Sequence, residues 1–172
     1  MKTLDNILSA INVLQFVGNT QQEIVGLAIH ANEVKDNYLF IAQEGTLTDG
    51  HTFIPDAIKN GAKVIVCSKS LLPMQDGIAY VFVQNTKLVA GVLAAAFYDY
   101  PSSQLKIVGI TGTNGKTTCA TLAYQLFSNL GFTCGLLSTV QNQIAKEILP
   151  STHTTPNPIQ LQNLLRKMVD AD

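Results

Sequence analysis

The chain of 172 residues has no tryptophan, few other aromatic residues and few charges, with 7% aromatic and 13% charged side chains. Its 11 basic and 12 acidic residues leave a net charge of -1 and form no cluster of either sign, which argues against a broad nucleic-acid or membrane surface. A membrane-length apolar run and an N-terminal signal peptide are also absent, so we expect a soluble, cytoplasmic protein. The apolar fraction of 47% indicates a globular chain rather than a disordered one.

Cysteine is also scarce, with three residues that stand far apart and show no CxxC spacing. Cys67 and Cys134 lie in strand-like runs, and Cys119 lies in the first turn of a predicted helix. This pattern excludes a disulfide framework and a cysteine-based metal site. We interpret all three as buried or partly buried free thiols of a reducing compartment.

Short apolar segments alternate with helical patterns, which predicts an α/β fold. A linker-like break near Pro101 divides the chain into an N-terminal α/β domain, 1–101, and the first part of a P-loop-type parallel-sheet domain, 102–172. In the first domain we predict a helix whose apolar stripe runs from Leu4 to Leu14, followed by further strands and helices. The strands are 24–29, 38–42, 63–67 and 79–83, and the helices are 52–60 and 86–98, the latter with the inward stripe Val89, Val92, Leu93, Ala96 and Phe97.

In the second domain the patterns predict a strand at 105–110, a helix at 117–130 ended by Gly131, a strand at 132–138 and a final helix opened by Pro158. The expected buried positions are Leu122, Ala123, Leu126, Phe127 and Leu130 of the first helix, and Leu161, Leu164, Leu165 and Met168 of the second. We expect this domain to be incomplete, which would leave apolar surface uncovered on strand 105–110 and on the final helix.

The run Gly109-Ile110-Thr111-Gly112-Thr113-Asn114-Gly115-Lys116-Thr117-Thr118 is the main candidate for a binding site. Glycines between an apolar strand and a helix let backbone N–H groups converge on a phosphate at the positive end of the helix. Lys116 could then reach phosphate oxygens, and the Thr117 hydroxyl could bind a nucleotide-bound Mg²⁺. The spacing departs from the general P-loop pattern, which requires a glycine where Ile110 stands.

Two further clusters have an ordinary alternative interpretation. Ser151-Thr152-His153-Thr154-Thr155-Pro156-Asn157-Pro158 is either a hydroxyl-rich loop that caps the final helix or a row of donors for a second anionic ligand. Gln43-Glu44-Gly45-Thr46-Leu47-Thr48-Asp49-Gly50-His51, taken alone, is a loop with an Asp-Gly turn, in which Asp49 stands at a helix N-cap position.

Together and in this order, the three clusters resemble the Mur ligase family of ATP-dependent amino-acid-adding enzymes. Thr111 to Thr118 is similar to the ATP signature of that family, whose spacing differs from the general P-loop. The loop before Phe53 and the Ser151 to Pro156 stretch resemble the MurE-type branch, which adds the third residue of the peptidoglycan stem peptide.

The resemblance implies roles for individual residues. The ATP-binding set would be Gly112, Thr113, Asn114, Gly115, Lys116, Thr117 and Thr118, with Lys116 as the catalytic residue and Thr117 on Mg²⁺. The set that contacts UDP-MurNAc-dipeptide would be Ala31, Thr46, Leu47, Thr48, His153, Thr154 and Thr155. Where the family usually has Asp-Ser-Arg, this chain has His30-Ala31-Asn32, so the hydroxyl that would contact uracil is missing.

The implied reaction is ATP-dependent addition of a diamino acid, meso-diaminopimelate or L-lysine, to UDP-MurNAc-L-Ala-D-Glu through an acyl phosphate. Because family members continue well beyond this sequence, we expect the chain to be an N-terminal fragment that is inactive alone, and the full-length enzyme to be a monomer. The alternatives are another ligase of the superfamily, of the MurF or folylpolyglutamate synthetase type, or a non-catalytic nucleotide-binding module.

Overall fold

The computed structural model describes residues 2–45, 48–69, 73–145, 147–150 and 156–171. It divides into two compact units, Met1–Phe97 and Tyr98–Asp172. None of the helices in the described ranges is long and apolar enough to cross a membrane.

The first unit is built on a five-stranded sheet of order β2-β7-β6-β5-β4. Four strands are parallel: β4 (Gly26–Ala28), β5 (Tyr38–Ile41), β6 (Ala62–Cys67) and β7 (Ala79–Phe82); the edge strand β2 (Gln15–Val17) is antiparallel to β7. A small antiparallel pair joins β1 (Lys2–Thr3) to β3 (Glu23–Ile24). The helices are α1 (Leu4–Leu8), α2 (Ile54–Lys59) and α3 (Thr86–Phe97), with 3-10 turns at Ala31–Glu33 and Gly50–Phe53.

The central strands of this sheet are buried along nearly their whole length. In β6 every residue except Lys63 is buried, and all four residues of β7 are buried. Strands with two covered faces have nearly continuous apolar sequences, which is why the pattern identified them. The core includes Leu39, Phe40, Ile65 and Val66, all almost fully inaccessible to solvent.

Three details of the first unit differ from the prediction. The first helix ends at Leu8. Leu14 is exposed, and its N–H donates to the carbonyl of Phe82 at 2.8 Å, which leads the chain into strand β2. Strand β2 was therefore missed, since pairing with β7 outweighs the helical spacing of the apolar residues. In α3 the buried side includes Ala90 and Ala94, whereas Val92 is exposed.

The second unit contains a 3-10 turn at Pro101–Gln104, two long helices and an antiparallel sheet of order β10-β9-β8. The helices are α4 (Lys116–Asn129) and α5 (Pro158–Asp170), and the strands are β8 (Gly135–Leu137), β9 (Gln141–Ile144) and β10 (Glu147–Pro150). Helix α4 packs on β8, and the Tyr124 hydroxyl donates to the carbonyl of Ala145 at 2.5 Å. A capping box between Asn157 and Gln160 begins α5.

The predicted strand at 105–110 does not form. No described strand pairs with this segment, and Ile107 and Val108 are 58% and 75% exposed. A strand requires a neighbour to complete its hydrogen bonds, so an apolar sequence alone does not produce one. The predicted strand 132–138 is reduced to β8 and is antiparallel to its neighbour.

The predicted buried face of α4 is also wrong, because no residue of α4 is buried and Leu122, Leu126 and Leu130 are 59%, 57% and 63% exposed. Nothing among the described residues covers this side of the helix. On α5, by contrast, Ile159 and Leu165 are buried, so the expectation of an uncovered final helix is wrong. Cys67 is buried and Cys134 partly buried as predicted, but Cys119 is exposed.

Candidate functional sites and family membership

The glycine loop of the second unit leads directly into α4. Gly115 adopts φ 79°, a left-handed conformation that glycine tolerates best, and it is the N-cap residue directly before the helix. No side chain caps the first turn, so α4 begins without a built-in acceptor for its terminal N–H groups. A helix start of this kind attracts anions through these donors and the helix dipole.

Lys116 folds back over this loop. Its Nζ donates to the carbonyl oxygens of Gly112 at 2.5 Å and Thr113 at 3.2 Å. Its ammonium group therefore lies beside the glycine turn and the first turn of α4. The same loop carries Thr113, Asn114 and Thr118, all exposed.

The Thr117 hydroxyl oxygen lies 3.4 Å from the hydroxyl oxygen of Thr139, which follows β8. Two neighbouring hydroxyl oxygens beside this glycine loop are hard ligands of the kind that Mg²⁺ accepts in part of its shell, together with water and phosphate oxygens. The donor set thus fits a triphosphate with its Mg²⁺. Thr139 was not predicted, because its proximity depends on the return of the chain through β8.

A cavity of about 550 Å³ lies in the first unit. Its walls come from the residues that follow β4, the loop after β5, α2 and the start of α3. Because β4 and β5 are parallel, these segments meet at the carboxyl edge of the sheet, where α/β folds commonly bind ligands. The lining residues are Ile29, His30, Ala31, Asn32, Gln43, Glu44, Gly45, Thr48, Gly50, Phe53, Asp56, Lys59, Asn60 and Lys87.

Two of the predicted substrate-binding residues, Ala31 and Thr48, line this same cavity. The carbonyl of Ala31 accepts hydrogen bonds from Asn60 Nδ2 at 2.8 Å and from the N–H of Val34 at 3.3 Å. That carbonyl is therefore already engaged in holding the turn. Thr46, Leu47, His153, Thr154 and Thr155 lie outside the described residues.

One wall of the cavity is tied to the end of β6 by a polar cluster. Asp49 Oδ1 accepts from His51 N at 3.0 Å and lies 2.6 Å from His51 Nδ1, while Lys69 Nζ lies 2.6 Å from Asp49 Oδ2 and 2.9 Å from Glu44 Oε1. Asp49 is thus the N-cap of the turn Gly50–Phe53, the position expected for it. Hydrogen bonds from Lys69 and then from His51 hold the pKa of Asp49 far below its usual range, and Asp49 followed by Glu44 raises the pKa of Lys69.

Glu44, Asp49 and His51 also bring three possible metal-ligand atoms within 4.8 Å of one another. The ammonium group of Lys69 bonds to both carboxylates and supplies the positive charge that a cation would otherwise provide. Lys59, Asn60, Lys69 and Lys87 were missed as members of the cavity region. For Lys69 and Lys87 the available signal was the order of the parallel strands, which places the segments after β6 and β7 at one edge; Lys59 and Asn60 precede β6 and had no such signal.

Two family descriptions match the chain: "Mur ligase family, catalytic domain" over residues 23–98 and "Mur ligase middle domain" over residues 110–172. Together they span most of the sequence. The chain belongs to the Mur ligase family.

Curated relatives of this Mur ligase chain include the UDP-N-acetylmuramoyl-L-alanyl-D-glutamate--2,6-diaminopimelate ligases of two bacteria. The protein from Phocaeicola vulgatus is 44% identical over 167 residues, which are 97% of this chain and 34% of the relative. The protein from Cytophaga hutchinsonii is 40% identical over 171 residues, 98% of this chain and 35% of the relative. The chain thus spans about a third of the length of the curated relatives it matches.

Solved structures support the same fold. A structure of a ligase with the same enzyme name matches 98% of this chain and 34% of its own, with a TM-score of 0.76 at 24% identity. A UDP-N-acetylmuramoylalanyl-D-glutamyl-2,6-diaminopimelate--D-alanyl-D-alanyl ligase from Acinetobacter baumannii matches 95% of this chain and 33% of its own, with a TM-score of 0.63 at 22% identity. The mixed α/β class with a parallel sheet is therefore confirmed.

Proposed function

We propose that this chain carries the nucleotide-sugar site and the ATP loop of a ligase that adds a diamino acid to UDP-MurNAc-L-Ala-D-Glu. Residues 1–101 would recognise the UDP-sugar, and residues 102–172 would begin the ATP-binding domain. The relatives named above make meso-diaminopimelate the preferred incoming amino acid. A cytoplasmic location and a monomeric full-length enzyme belong to the same proposal.

The observation that carries this proposal is the cavity at the carboxyl edge of the first sheet. It brings Ala31 and Thr48, two residues that the family resemblance assigns to the UDP end of the substrate, to one surface from segments after different strands. A volume of about 550 Å³ lies within the range of small-molecule sites. The Ala31 carbonyl is engaged by Asn60, which leaves the methyl and amide groups of Ala31 as its possible contacts.

The glycine loop supplies the second half of the proposal. Gly112 to Thr118 would hold the phosphates of ATP, with Lys116 on the β- and γ-phosphates and Thr117 on Mg²⁺. Bound Mg²⁺ would neutralise phosphate charge and orient the triphosphate. Lys116 would leave its carbonyl partners for phosphate oxygens, which are stronger acceptors for an ammonium group.

In the proposed reaction the substrate carboxylate attacks the γ-phosphorus of ATP, and ADP leaves. The amino group of the diamino acid then attacks the resulting acyl phosphate, and phosphate leaves as the amide forms. The residues of this chain would hold and orient the two anionic substrates, and Lys116 would offset the negative charge that develops on the transferred phosphoryl group. His153, Thr154 and Thr155 would contact the dipeptide part.

Calorimetric titration of this chain with UDP-MurNAc-dipeptide tests the proposal. We expect saturable 1:1 binding, whereas UDP-MurNAc-tripeptide, UMP and a folate provide comparison ligands. Binding of UDP-MurNAc-tripeptide in strong preference to the dipeptide would favour a MurF-type ligase, and binding of folate alone would favour the folylpolyglutamate synthetase type. Binding of ATP with no UDP-sugar would instead indicate a nucleotide-binding module.

Turnover provides a second test. Because the chain spans about a third of its relatives, we expect it to bind the UDP-sugar but to release no phosphate when ATP, dipeptide substrate and diaminopimelate are supplied. Steady phosphate release by the chain alone would contradict that expectation. A full-length relative provides the positive control.

A further inference from the structure

The described residues of the loop after β5, 43–45 and 48–50, contribute one wall of the cavity, and two backbone hydrogen bonds join these residues to one another. Within the loop, the N–H of Gly50 donates to the carbonyl of Gln43 at 2.8 Å and the N–H of Gly45 to the carbonyl of Thr48 at 2.9 Å. These bonds lie within the loop. Other contacts connect its described residues to the rest of the first unit.

Those contacts come from the segment after β6. We propose that Asp49, His51, Ser68 and Lys69 form a latch that holds the cavity wall in a ligand-ready position, and that His51 and Lys69 are positioning residues for the nucleotide-sugar. This inference rests on the proposed function of the cavity. None of the four side chains needs to touch the ligand for the latch to act.

His51 is the centre of the latch and is buried. Its Nε2 accepts a hydrogen bond from the backbone N–H of Ser68 at 3.1 Å, so Nε2 carries no proton in this arrangement. The proton therefore lies on Nδ1 and is donated to Asp49 Oδ1 at 2.6 Å. A neutral imidazole in a single tautomer thus connects the cavity loop to the residue that follows β6.

Lys69 makes the second connection between the same two segments. Its ammonium group bridges Asp49 and Glu44, two residues at the base of the loop that also form an isolated β-bridge with each other. An isolated exposed ion pair contributes little to stability. Here one ammonium group restrains two carboxylates, and one of them already accepts two bonds from His51.

A catalytic interpretation of the same residues does not fit the geometry. An Asp-His-Ser triad needs the Nε2 lone pair to accept the serine hydroxyl proton. Here that lone pair already accepts from the Ser68 backbone, and the Ser68 Oγ is 3.4 Å away. The cluster is therefore suited to holding the loop rather than to nucleophilic chemistry.

Preorganisation gives the latch its expected effect on binding. If the ligand binds only when the loop is held, the apparent dissociation constant rises in inverse proportion to the held fraction. A variant that is held about one-tenth of the time would bind about tenfold more weakly with the same contacts in the bound state. Ligand-free exchange at the Ser68 amide would rise by a larger factor and approach that of an unprotected amide, since the loop would be open about nine-tenths of the time.

Lys69→Met is the main test variant, because Lys69 is half exposed and its loss removes no buried side chain. Lys69→Arg keeps the charge and the two donors, so it tests rescue. Lys63→Met is the matched control, since Lys63 is the exposed lysine of β6 and lines no part of the cavity. His51→Phe tests the buried side of the latch, and a thermal melt shows whether this variant folds.

Two measurements are made on each variant of the 172-residue chain: hydrogen exchange at the Ser68 amide, which donates to His51, and titration with UDP-MurNAc-dipeptide. For Lys69→Met we expect about tenfold weaker binding and nearly unprotected exchange at Ser68, with ATP affinity unchanged. Lys69→Arg and Lys63→Met should match the wild type. A purely structural role would lower the melting temperature of Lys69→Met together with its affinity, whereas the latch predicts weaker binding at an unchanged melting temperature.

Wild-type exchange rates and wild-type affinity in Lys69→Met would overturn the latch. Nearly unprotected exchange at Ser68 with unchanged affinity would overturn its role in positioning the ligand. If the wild type does not bind UDP-MurNAc-dipeptide, the proposed function fails; the exchange data then decide independently whether the loop is held as described.

Discussion

Replacement of Lys116 by methionine is the sharpest test of the ATP loop. The substitution keeps a long apolar side chain and removes only the ammonium group, so helix α4 should form as before, since Met and Lys have similar helix propensities. The bonds lost in the free protein are those to the carbonyls of Gly112 and Thr113, both at the exposed surface. Water can replace them, and the melting temperature should therefore change little.

The expected loss of ATP affinity in Lys116→Met follows from the change in hydrogen-bond acceptors that Lys116 would undergo when ATP binds. Binding of ATP would replace two neutral carbonyl acceptors with charged phosphate oxygens, and a hydrogen bond to a charged group contributes about 1.5–3 kcal/mol. This corresponds to about 10- to 150-fold weaker ATP binding for Lys116→Met, since 1.4 kcal/mol is about a factor of ten. The loop is exposed, so the lower end of this range is expected at physiological salt.

The assay is a titration of the 172-residue chain with ATP, ADP and AMP in the presence of Mg²⁺. Because Lys116 would reach the terminal phosphates, the variant should lose affinity for ATP and ADP but little for AMP. Lys106→Met removes an exposed lysine from the segment before the loop and serves as the control. ATP affinity of Lys116→Met within twofold of the wild type would refute the assignment, as would an equal loss for AMP.

Three further predictions concern the first unit and the thiols. Ala31→Ser introduces the hydroxyl that the family resemblance places near uracil. One new hydrogen bond should tighten the binding of UDP-MurNAc-dipeptide about 2- to 10-fold, measured by calorimetry. Unchanged or weaker binding would contradict the uracil assignment. Burial raises the pKa of Cys67 to about 12, so its thiol should react with a maleimide at pH 8 only after unfolding in urea. Mass spectrometry should show exposed Cys119 labelled first and Cys134 more slowly. Early labelling of Cys67 would contradict its burial. The pKa of Asp49 is lowered in the folded state, so the stabilisation from its carboxylate is present above the ordinary value of 3.8 and is lost as the pH falls further. In urea unfolding, the stability lost in Asp49→Asn should therefore be constant from pH 7 to 5 and become smaller only in more acidic buffer. A loss that already becomes smaller between pH 7 and 5 would contradict this.

The two sites differed in how far the sequence could predict them. The ATP loop is continuous from Gly112 to Thr118, so residue types and spacing were sufficient to propose it. The cavity is assembled from segments after β4 and β5, from α2 and from Lys87, which lie far apart in the sequence. Pattern analysis predicted most of these strands but not which residues would face each other across the edge of the sheet.

For the latch residues, the sequence could have predicted that the two segments lie close together, although not their individual hydrogen bonds. Strands β5 and β6 are parallel neighbours, so the segments that follow them must emerge at the same edge. That rule would have placed Ser68 and Lys69 beside the loop that contains Asp49 and His51. The individual bonds could not have been predicted, because the choice of partner for His51 Nε2 depends on distances of a few tenths of an ångström.

Helix α4 illustrates a different limit. Its apolar residues recur at helical spacing along one face, from which the pattern predicted a buried face that the structure does not have. It could not predict what covers that face, since periodicity describes one element while burial depends on a second. Leu122, Leu126 and Leu130 are exposed, yet the loop before α4 has its glycine turn, in which Lys116 Nζ bonds to the carbonyls of Gly112 and Thr113. The proposed ATP loop draws on contacts within about ten residues and on one to Thr139, whereas the proposed nucleotide-sugar cavity draws on segments from the whole first unit. A destabilising change in the β5–β6 core should therefore impair UDP-sugar binding before it impairs ATP binding.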